Sequence, residues 1–346
     1  MNKIEQIAAL ARIMAAAMLM LAPIAAQAVD VEVSGQINRL IMNVDNGDKN
    51  GLVNADNAVS GTRFRFTGSG ELENGMTAGL IYETQLESNP TSKIDADNLD
   101  SDGVGGNVGE GDYFSNRYQN VWIKGDFGKV TLGQGSGASD GSAEVDDSGT
   151  SVIQYAGADS DLLGDMEFGD SGVTVKDVRS DYDGLGRNDN IRYDAAIGDF
   201  NLAASLGNGY RRDAAVLYVI EHFKMKFAVW DRDDSGDGNT GAAVSASWNA
   251  DNGVNLTGSY SGENSSDDPT NVYLKLGFKH GKNAYAIDWS ETQDRGPGDS
   301  SSYSIAWVGS MMQGVELYAT YRVQTLDDVS GADDIDALAG GARIKF

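Results

Sequence analysis

The 346-residue chain contains no cysteine, only two histidines and only four prolines. The lack of cysteine excludes disulfides as a source of stability. The scarcity of histidine argues against a serine hydrolase, because nucleophilic serine chemistry commonly needs a histidine base. After residue 28, no apolar run reaches the roughly 20 residues that a membrane helix needs. The fold must therefore be stabilised by something other than disulfides or helical membrane spans.

Basic residues are also scarce. The 26 lysines and arginines stand against 52 aspartates and glutamates, which gives a formal net charge of −26. Such a surface repels nucleic-acid phosphates, so we expect no nucleic-acid partner. We expect no resident cofactor either. The acidic outer loops, which include Asp95, Asp97, Asp100 and Asp102, are candidates for weak Ca²⁺ or Mg²⁺ binding.

The first 28 residues differ from the rest of the chain. Lys3 and Arg12 accompany an apolar run at Ile13–Ile24, and Ala26-Gln27-Ala28 supplies small residues at a cleavage site. This order of features predicts a secretory signal peptide that is cleaved after Ala28. The alternative, a transmembrane helix, needs a longer apolar run. The mature chain would then be residues 29–346.

A period of two dominates the mature chain. Within Thr270–His280, apolar side chains at every second position (Val272, Leu274, Leu276 and Phe278) oppose polar ones. Successive side chains of a β-strand point to opposite faces, so such segments predict strands with one apolar and one polar face. Their length of about ten residues suits a tilted strand that crosses a bilayer.

Sixteen segments of this kind predict an all-β fold, a 16-stranded antiparallel transmembrane barrel. The expected strands are 31–44, 60–72, 76–87, 113–125, 129–135, 188–197, 199–208, 213–222, 224–233, 240–250, 253–262, 270–280, 283–292, 301–310, 314–325 and 335–346. Short turns alternate with longer polar loops, as in outer-membrane barrels. A soluble sandwich of two sheets is the alternative, but no linker divides the chain. A barrel in lipid needs no dry interior, so we expect its inner face to be polar throughout.

The segment 136–187 carries a weak strand signal and is unusually long for a loop, and such loops are commonly functional. We expect it to fold into the lumen as a constriction, with Val173–Val178 as a possible short strand. The segment is expected to supply the acidic side of the constriction, which comprises Asp140, Glu144, Asp146 and Asp147.

Arginines on polar strand faces supply the opposite charge. Arg63 and Arg65 alternate with Phe64 and Phe66, and a charge on the lipid face costs about 2–4 kcal/mol at the bilayer midplane, so the arginines should face the lumen. The expected basic wall comprises Arg63, Arg65, Arg117, Arg192, Arg322 and Arg343. The alternation of side chains does not orient Arg117, because in a regular strand the apolar Val121 and Ile123 would share its face. The alternative for each arginine is that it only solvates an aqueous wall.

Several motifs resemble those of the Gram-negative general porins. They are the opening Val33–Arg39, the strand–turn–strand block Lys124–Gln134, the segment Arg187–Asp194 and the terminal Phe346. The resemblance implies a 16-stranded homotrimer whose third loop, here 136–187, enters the lumen and faces arginines across an eyelet. It also implies that loop 88–112 latches a neighbouring subunit and that Phe346 is an assembly signal for the barrel assembly machinery. The third loop is longer here than is usual in the family.

The expected function follows from these features. The chain should be an outer-membrane porin that passes ions and small hydrophilic solutes by passive diffusion, with mild cation selectivity and with lipopolysaccharide around it. We expect no enzymatic activity. Two alternatives stay open: an outer-membrane hydrolase and a structural or adhesive barrel with a plugged lumen. His222 and His280 both fall at predicted short turns, which argues against a catalytic triad but leaves carboxylate chemistry open.

Overall fold

The structure is a computed structural model and describes residues 30–95, 114–232, 239–265 and 267–346. The predicted signal peptide, most of the predicted latching loop 88–112, and the acidic residues Asp97, Asp100 and Asp102 lie outside these ranges. Strands form one closed antiparallel sheet, in which the last strand pairs with the first. The strands are β1 (Asp30–Asp45), β2 (Asn50–Asp56), β3 (Arg63–Glu71), β4 (Thr77–Leu86), β5 (Phe114–Gly125), β6 (Gly128–Ser136), β7 (Arg187–Ile197), β8 (Phe200–Gly207), β9 (Arg212–Ile220), β10 (Phe223–Asp231), β11 (Thr240–Asn249), β12 (Val254–Asn264), β13 (Thr270–His280), β14 (Asn283–Gln293), β15 (Ser300–Met312), β16 (Val315–Leu326) and β17 (Ile335–Lys345). The described part of the chain has no helix that is long and apolar enough to cross a membrane.

The 17 strand segments fill 16 positions of the barrel, because β2 and β3 share one. Residues 39–45 of β1 pair with β2, and residues 30–36 of β1 pair with β3. Between the two segments the chain makes a 3-10 turn at Ala58–Ser60, in which the side chain of Asn57 accepts a hydrogen bond from Val59 N. The predicted 16-stranded barrel is therefore confirmed. β2 is not among the predicted strands, because its asparagines, aspartate and glycine are typical of a turn.

The strands meet at two rims of different character. At one end, here called the turn rim, connections such as 126–127, 198–199 and 281–282 are tight turns. The other end, the loop rim, carries the longer connections. The longest of these, residues 137–186 between β6 and β7, is called the insert from here on. Short turns on one rim and long loops on the other are typical of bacterial outer-membrane barrels.

The outer and inner faces follow the predicted alternation. On β13, Leu274 and Leu276 are 54% and 47% exposed on the outer face, whereas Tyr273 and Lys275 are buried on the inner face. The same register runs through β14 and β15, where Ile287 pairs with Ile305 on the outside. An apolar outer band is what a hydrocarbon environment requires, and the closed ladder satisfies the backbone groups.

The interior is not polar throughout, so that part of the prediction is wrong. The inner faces of β1, β2 and β17 carry apolar side chains such as Met42, Val53 and Ile335. They pack against the insert, whose Leu162 and Phe168 are fully buried in the same cluster. The insert has enough apolar residues to form a small core of its own against this wall, and this favours a dry inner face there.

The insert is folded rather than structureless. It contains short helices at Ala158–Leu163 and Val175–Val178, so the short strand expected over Val173–Val178 is not formed. In the second helix, Thr174 and Asp177 make a reciprocal capping box. The packed core and the caps together fix the insert against one side of the barrel.

We expect Phe168→Ala to loosen the insert, because removing a fully buried phenylalanine costs about 3–5 kcal/mol. Limited proteolysis of the folded protein should then cut within residues 137–186 at least tenfold faster than in the wild type. The control is Phe114→Ala, since Phe114 is 66% exposed. Equal cleavage rates in the two variants would contradict a packed insert.

Candidate functional site: the passage beside the insert

The insert is anchored where it leaves the barrel wall. Ser139 N and Oγ donate to Asp213 of β9, at 2.8 and 2.6 Å. Ser139 Oγ also accepts from Leu185 N at 2.9 Å, which ties the two ends of the insert together. Gly184 has a positive φ of +116° and lies against Ser139, a conformation that glycine adopts without strain. The insert therefore leaves and rejoins the wall at one fixed point.

From that point the insert runs along the inner faces of β11 to β16. Ser245 Oγ of β11 donates to Ser142 O, and Ser261 Oγ of β12 donates to Asp181 O at 2.5 Å. Farther round, Gln154 Nε2 donates to Ser304 Oγ of β15 at 2.7 Å. Asn57, between β2 and β3, donates to the carbonyl of Val152. These bonds place the insert inside the barrel and leave the inner faces of β3 to β8 largely uncovered.

An ion cluster pins the middle of the insert to the wall. The carboxylate of Asp159 contacts Arg179 of the insert, at 2.5 Å, and Arg322 of β16. Ser290 and Ser302 each donate a further hydrogen bond to it at 2.8 Å. The three charged side chains are each at most 4% exposed. A buried charge is tolerated only when it is paired and hydrogen-bonded, so each member of this cluster requires the others.

Lysines hold the edge of the insert that faces the turn rim. Lys275 of β13, with a fully buried side chain, pairs with Asp146 at 2.7 Å. Lys224 of β10 pairs with Asp147 at 2.6 Å. Lys279 Nζ donates to the carbonyl of Asp147. Asp146 and Asp147 were predicted to face the arginines, but they form ion pairs with lysines of β13 and β10 instead. Asp146 also borders the polar cavity described below.

Three arginines stand on the uncovered wall and share one carboxylate. Glu83 of β4, whose side chain is 1% exposed, accepts from Arg65 Nε at 2.6 Å and from Arg117 Nε at 2.8 Å. Arg63 Nη1 lies 3.8 Å from the same carboxylate. The three cations are only partly neutralised by one anion, so the wall keeps a positive excess.

A β-bulge explains why parity failed to orient Arg117. The pairing of β4 with β5 slips between Glu83 and Thr84, which face Tyr118 and Asn116 and leave Arg117 as the extra residue. A bulge re-aims a side chain across the sheet, and here it directs Arg117 inward to Glu83. Glu83 itself was missed, although its alternation with exposed Tyr82 was a usable signal.

Between this wall and the insert lies a cavity of about 530 Å³, here called the eyelet cavity. Its basic lining is Arg63, Arg117 and Arg187. Its acidic lining is Glu87, Asp140, Glu144, Asp146, Asp161 and Asp183. The arginines of the wall and the carboxylates of the insert thus face one another across a polar space, with six formal negative charges against three positive.

Burial shifts the acid side of the eyelet cavity toward its neutral form. It raises the pKa of Asp161 to about 6 and that of Glu87 to about 7. Burial also raises the pKa of Glu144 well above its usual range, and the neighbouring Asp183 and Asp181 add to the rise. Like charges that lie close together in a desolvated space disfavour ionisation. The charge of the cavity therefore depends on pH near neutrality.

The remaining predicted arginines do not line the eyelet cavity. Arg322 is buried in the Asp159 cluster, Arg192 is paired with Asp194 towards the turn rim, and Arg343 is paired with Glu316. Arg65 stays beside Glu83 and stacks over the ring of Tyr118 at 5.8 Å. The structure thus brings Arg63 and Arg117 together with Asp140 and Glu144. Arg192, Arg322 and Arg343 have other carboxylate partners, whereas Arg65 shares Glu83 with Arg63 and Arg117.

Phe346 closes the barrel. Its backbone exchanges two hydrogen bonds with Gly35 of β1, at 2.9 and 3.1 Å. Its ring lies 5.6 Å from that of Phe64. Its role as an assembly signal stays a prediction.

Both histidines lie at the turn rim, where His222 contacts Asp251 at 3.4 Å and His280 stacks on Phe278.

We expect Asp159→Asn to destabilise the position of the insert, because it leaves Arg179 and Arg322 buried with too little opposite charge. Single-channel recordings in a planar bilayer should show enlarged current fluctuations and additional conductance levels. The control is Asp165→Asn, whose pairs with Lys93 and Lys176 are exposed. Recordings of Asp159→Asn that match those of the wild type would rule out this anchoring role.

Comparisons with known proteins agree with this geometry. A family model described as Gram-negative porin matches residues 15–329. Among solved structures, an anion-selective porin from Comamonas acidovorans aligns with a TM-score of 0.63 at 15% identity, over 92% of this chain and all of that one. OmpT in its trimer form, an outer membrane protein of Vibrio cholerae, aligns at 0.61 and 12%, and a mutant of the Rh. blastica porin aligns at 0.59 and 14%. Both cover 92% of this chain and all of the other.

At these identities the structural likenesses establish the fold alone. No curated protein sequence matches the chain significantly. The family match, however, extends over most of the chain and agrees with a closed 16-stranded barrel that holds a charged passage. The chain belongs to the Gram-negative porin family, and it is a porin of the bacterial outer membrane.

Proposed function

We propose that the eyelet cavity is the constriction of a water-filled channel for passive diffusion of ions and small hydrophilic solutes, and that the channel mildly prefers cations. The observation that carries this proposal is the excess of carboxylates in the cavity lining, six against three arginines. Fixed charges in a narrow polar passage attract counter-ions and repel co-ions.

Several features moderate the preference. Glu83 leaves a positive excess on the wall, where Arg63 and Arg117 attract anions. Asp140 is 3.8 Å from Arg187, which offsets part of its charge. Burial raises the pKa of Glu144, which disfavours its charged form. A small net negative charge therefore supports a mild preference for cations and not exclusion of anions.

The sign of the pH dependence follows from the raised pKa values. Carboxylates with raised pKa values are ionised at high pH and take up protons as pH falls through about 7 and about 6, the values for Glu87 and Asp161. We therefore expect cation preference to be larger at pH 8 and to decrease, or reverse, by pH 5. The reversal potential under a KCl gradient across a planar bilayer measures this directly.

Three results of that experiment would count against the proposal. The first is a purified, folded preparation that gives no conductance steps. The second is anion preference at pH 8, and the third is a reversal potential that does not change between pH 8 and pH 5. Glu87→Gln is an informative variant. It should reduce the change in reversal potential near pH 7 and leave the change near pH 6, which Asp161 causes.

We further infer that the chain forms a homotrimer, and an anomaly on the outer face supports subunit contact. Arg39 of β1 lies between the exposed Ile37 and Ile41, yet pairs at 2.7 Å with Asp56 of β2 and donates to Asn54. A charged pair inside the apolar outer band is costly in lipid. Contact with protein removes that cost, and OmpT, one of the similar structures, is a trimer form.

Small residues beside Arg39 point in the same direction. Arg39 pairs across the sheet with Ala342 of β17, and Ile41 pairs with Gly340. A Cβ at Gly340 would meet only the carbonyl of Tyr318, at 3.7 Å. Nothing inside the subunit therefore requires a glycine there, whereas close approach of another subunit does. We also propose that lipopolysaccharide surrounds the trimer and that the barrel assembly machinery recognises Phe346.

We expect Gly340→Leu to weaken the trimer, because the leucine side chain fills the space beside β17 into which another subunit would approach. In lipid this change would be neutral or stabilising, so the sign of the effect is diagnostic. Trimer and monomer populations by native mass spectrometry in detergent measure it. The control is Ala242→Leu, an exposed outer-face position on β11 across the barrel. Trimers as stable as this control would refute the assigned surface.

A further inference from the structure

A second cavity lies in the lumen on the turn-rim side of the insert, with a volume of about 700 Å³. Its charged lining consists of Lys124, Asp126, Lys129, Arg192, Asp194 and Lys226. Four basic and two acidic side chains give it a formal charge of +2, opposite in sign to that of the eyelet cavity. We propose that this basic recess is a binding site for small oxyanions such as phosphate or a dicarboxylate. The proposal rests on the channel function, since the ligand enters through the lumen.

The recess exists because the wall behind it is built of small residues. Ala203 of β8 pairs with Ala215 of β9, which pairs with Ala228 of β10, all on the inner face. Ala138 of the insert closes the recess from above against Ala215 and Ala228. The alanines leave a pocket whose volume lies within the range of small-molecule sites.

Lys129 and Lys226 are positioned to serve a ligand. The Lys129 ammonium lies 5.0 Å from the ring centroid of Trp122, which restrains it. Lys226 Nζ donates to the carbonyl of Asp140 at 2.5 Å, which uses one of its three N–H groups. Lys124 pairs across the sheet with Lys129 on the same inner face. The three lysines thus border one space from two sides.

The acidic groups of the recess do not neutralise these lysines. Asp194 is held by Arg192, with Nε at 3.0 Å and Nη2 at 2.7 Å from its carboxylate. Arg192 Nη1 is also engaged, by Gly137 O at 2.8 Å. Asp126 lies in the turn beside Phe127. Among the described residues, the salt bridges within 4.0 Å include none with Lys129 or Lys226.

Other inner-wall lysines behave differently. Lys224 and Lys275 each form an ion pair with a carboxylate of the insert, at 2.6 and 2.7 Å. In the recess, Lys124 and Lys129 instead lie opposite one another on neighbouring strands, and such like charges are unfavourable unless an anion lies between them. A dianion with several oxygens matches such a cluster, because lysines bind phosphate and carboxylate as point charges. The recess is lined by different charged residues from those of the eyelet cavity.

The test is the effect of inorganic phosphate on the KCl current of single channels at pH 7.5, with phosphate added to each chamber in turn. We expect a saturable decrease in current at millimolar phosphate. Lys129→Gln and Lys226→Gln should each raise the half-blocking concentration about tenfold, the effect of losing one charge-assisted hydrogen bond. The control is Lys282→Gln, an exposed turn lysine whose Nζ donates to Met311 O and which lies outside the recess.

The outcomes separate the recess from the channel. If the wild type conducts KCl but phosphate does not reduce the current, the proposed oxyanion site is refuted and the channel function still stands. A shift in Lys282→Gln as large as that in Lys129→Gln also overturns it, since that is a general surface-charge effect. Equal block by succinate assigns recognition to charge, and block by phosphate alone assigns it to the phosphoryl group; both support an oxyanion site. Phosphorus-31 line broadening with folded protein in detergent measures binding without conduction and should be lost in Lys129→Gln.

Discussion

The position of the insert is the constraint on which the passage depends. Asp159 sits between Arg179 and Arg322 with all three side chains buried, and the apolar cluster around Phe168 packs against β1, β2 and β17. Paired charges fix the location, because any displacement exposes an unpaired buried ion. Apolar packing supplies the favourable free energy. The insert is therefore held to one side of the barrel, and the open space lies on the other.

The chemistry of the passage follows from that placement. The wall left uncovered is the one that carries Arg63 and Arg117, gathered around Glu83. The edge of the insert that faces it carries Asp140 and Glu144. Opposite charges therefore face one another across the cavity, while Lys224, Lys275 and Arg322 attach the insert. This division separates anchoring charges from those that act on a passing solute.

Much of this architecture could be predicted from the sequence, because alternation in strands is a direct physical signal. It located 16 strands, and it oriented Arg63 and Arg65 through Phe64 and Phe66. Alternation fails where the ladder is irregular. The bulge at Arg117 reverses its parity, and β2 is too short and polar to register.

The partners within the insert could not be predicted for a different reason. Asp159, Arg179 and Arg322 are separated by up to 163 positions in the chain, so their contact depends on how the insert crosses the barrel. Likewise, nothing local distinguishes Asp147, which pairs with Lys224, from Asp140, which borders the passage. Periodicity describes regular elements, whereas these contacts are set by tertiary packing alone.

The absence of cysteine permits a direct test of the claim that solutes pass between the insert and the arginine wall. Ser151 lines the eyelet cavity and is exposed within it. A bulky methanethiosulfonate reagent applied to Ser151→Cys channels in a planar bilayer should lower the single-channel conductance in irreversible steps. The same reagent should leave Asn252→Cys channels, modified at a turn on the rim, unchanged. Full labelling of Ser151→Cys, verified by mass spectrometry, with no change in conductance would contradict the account.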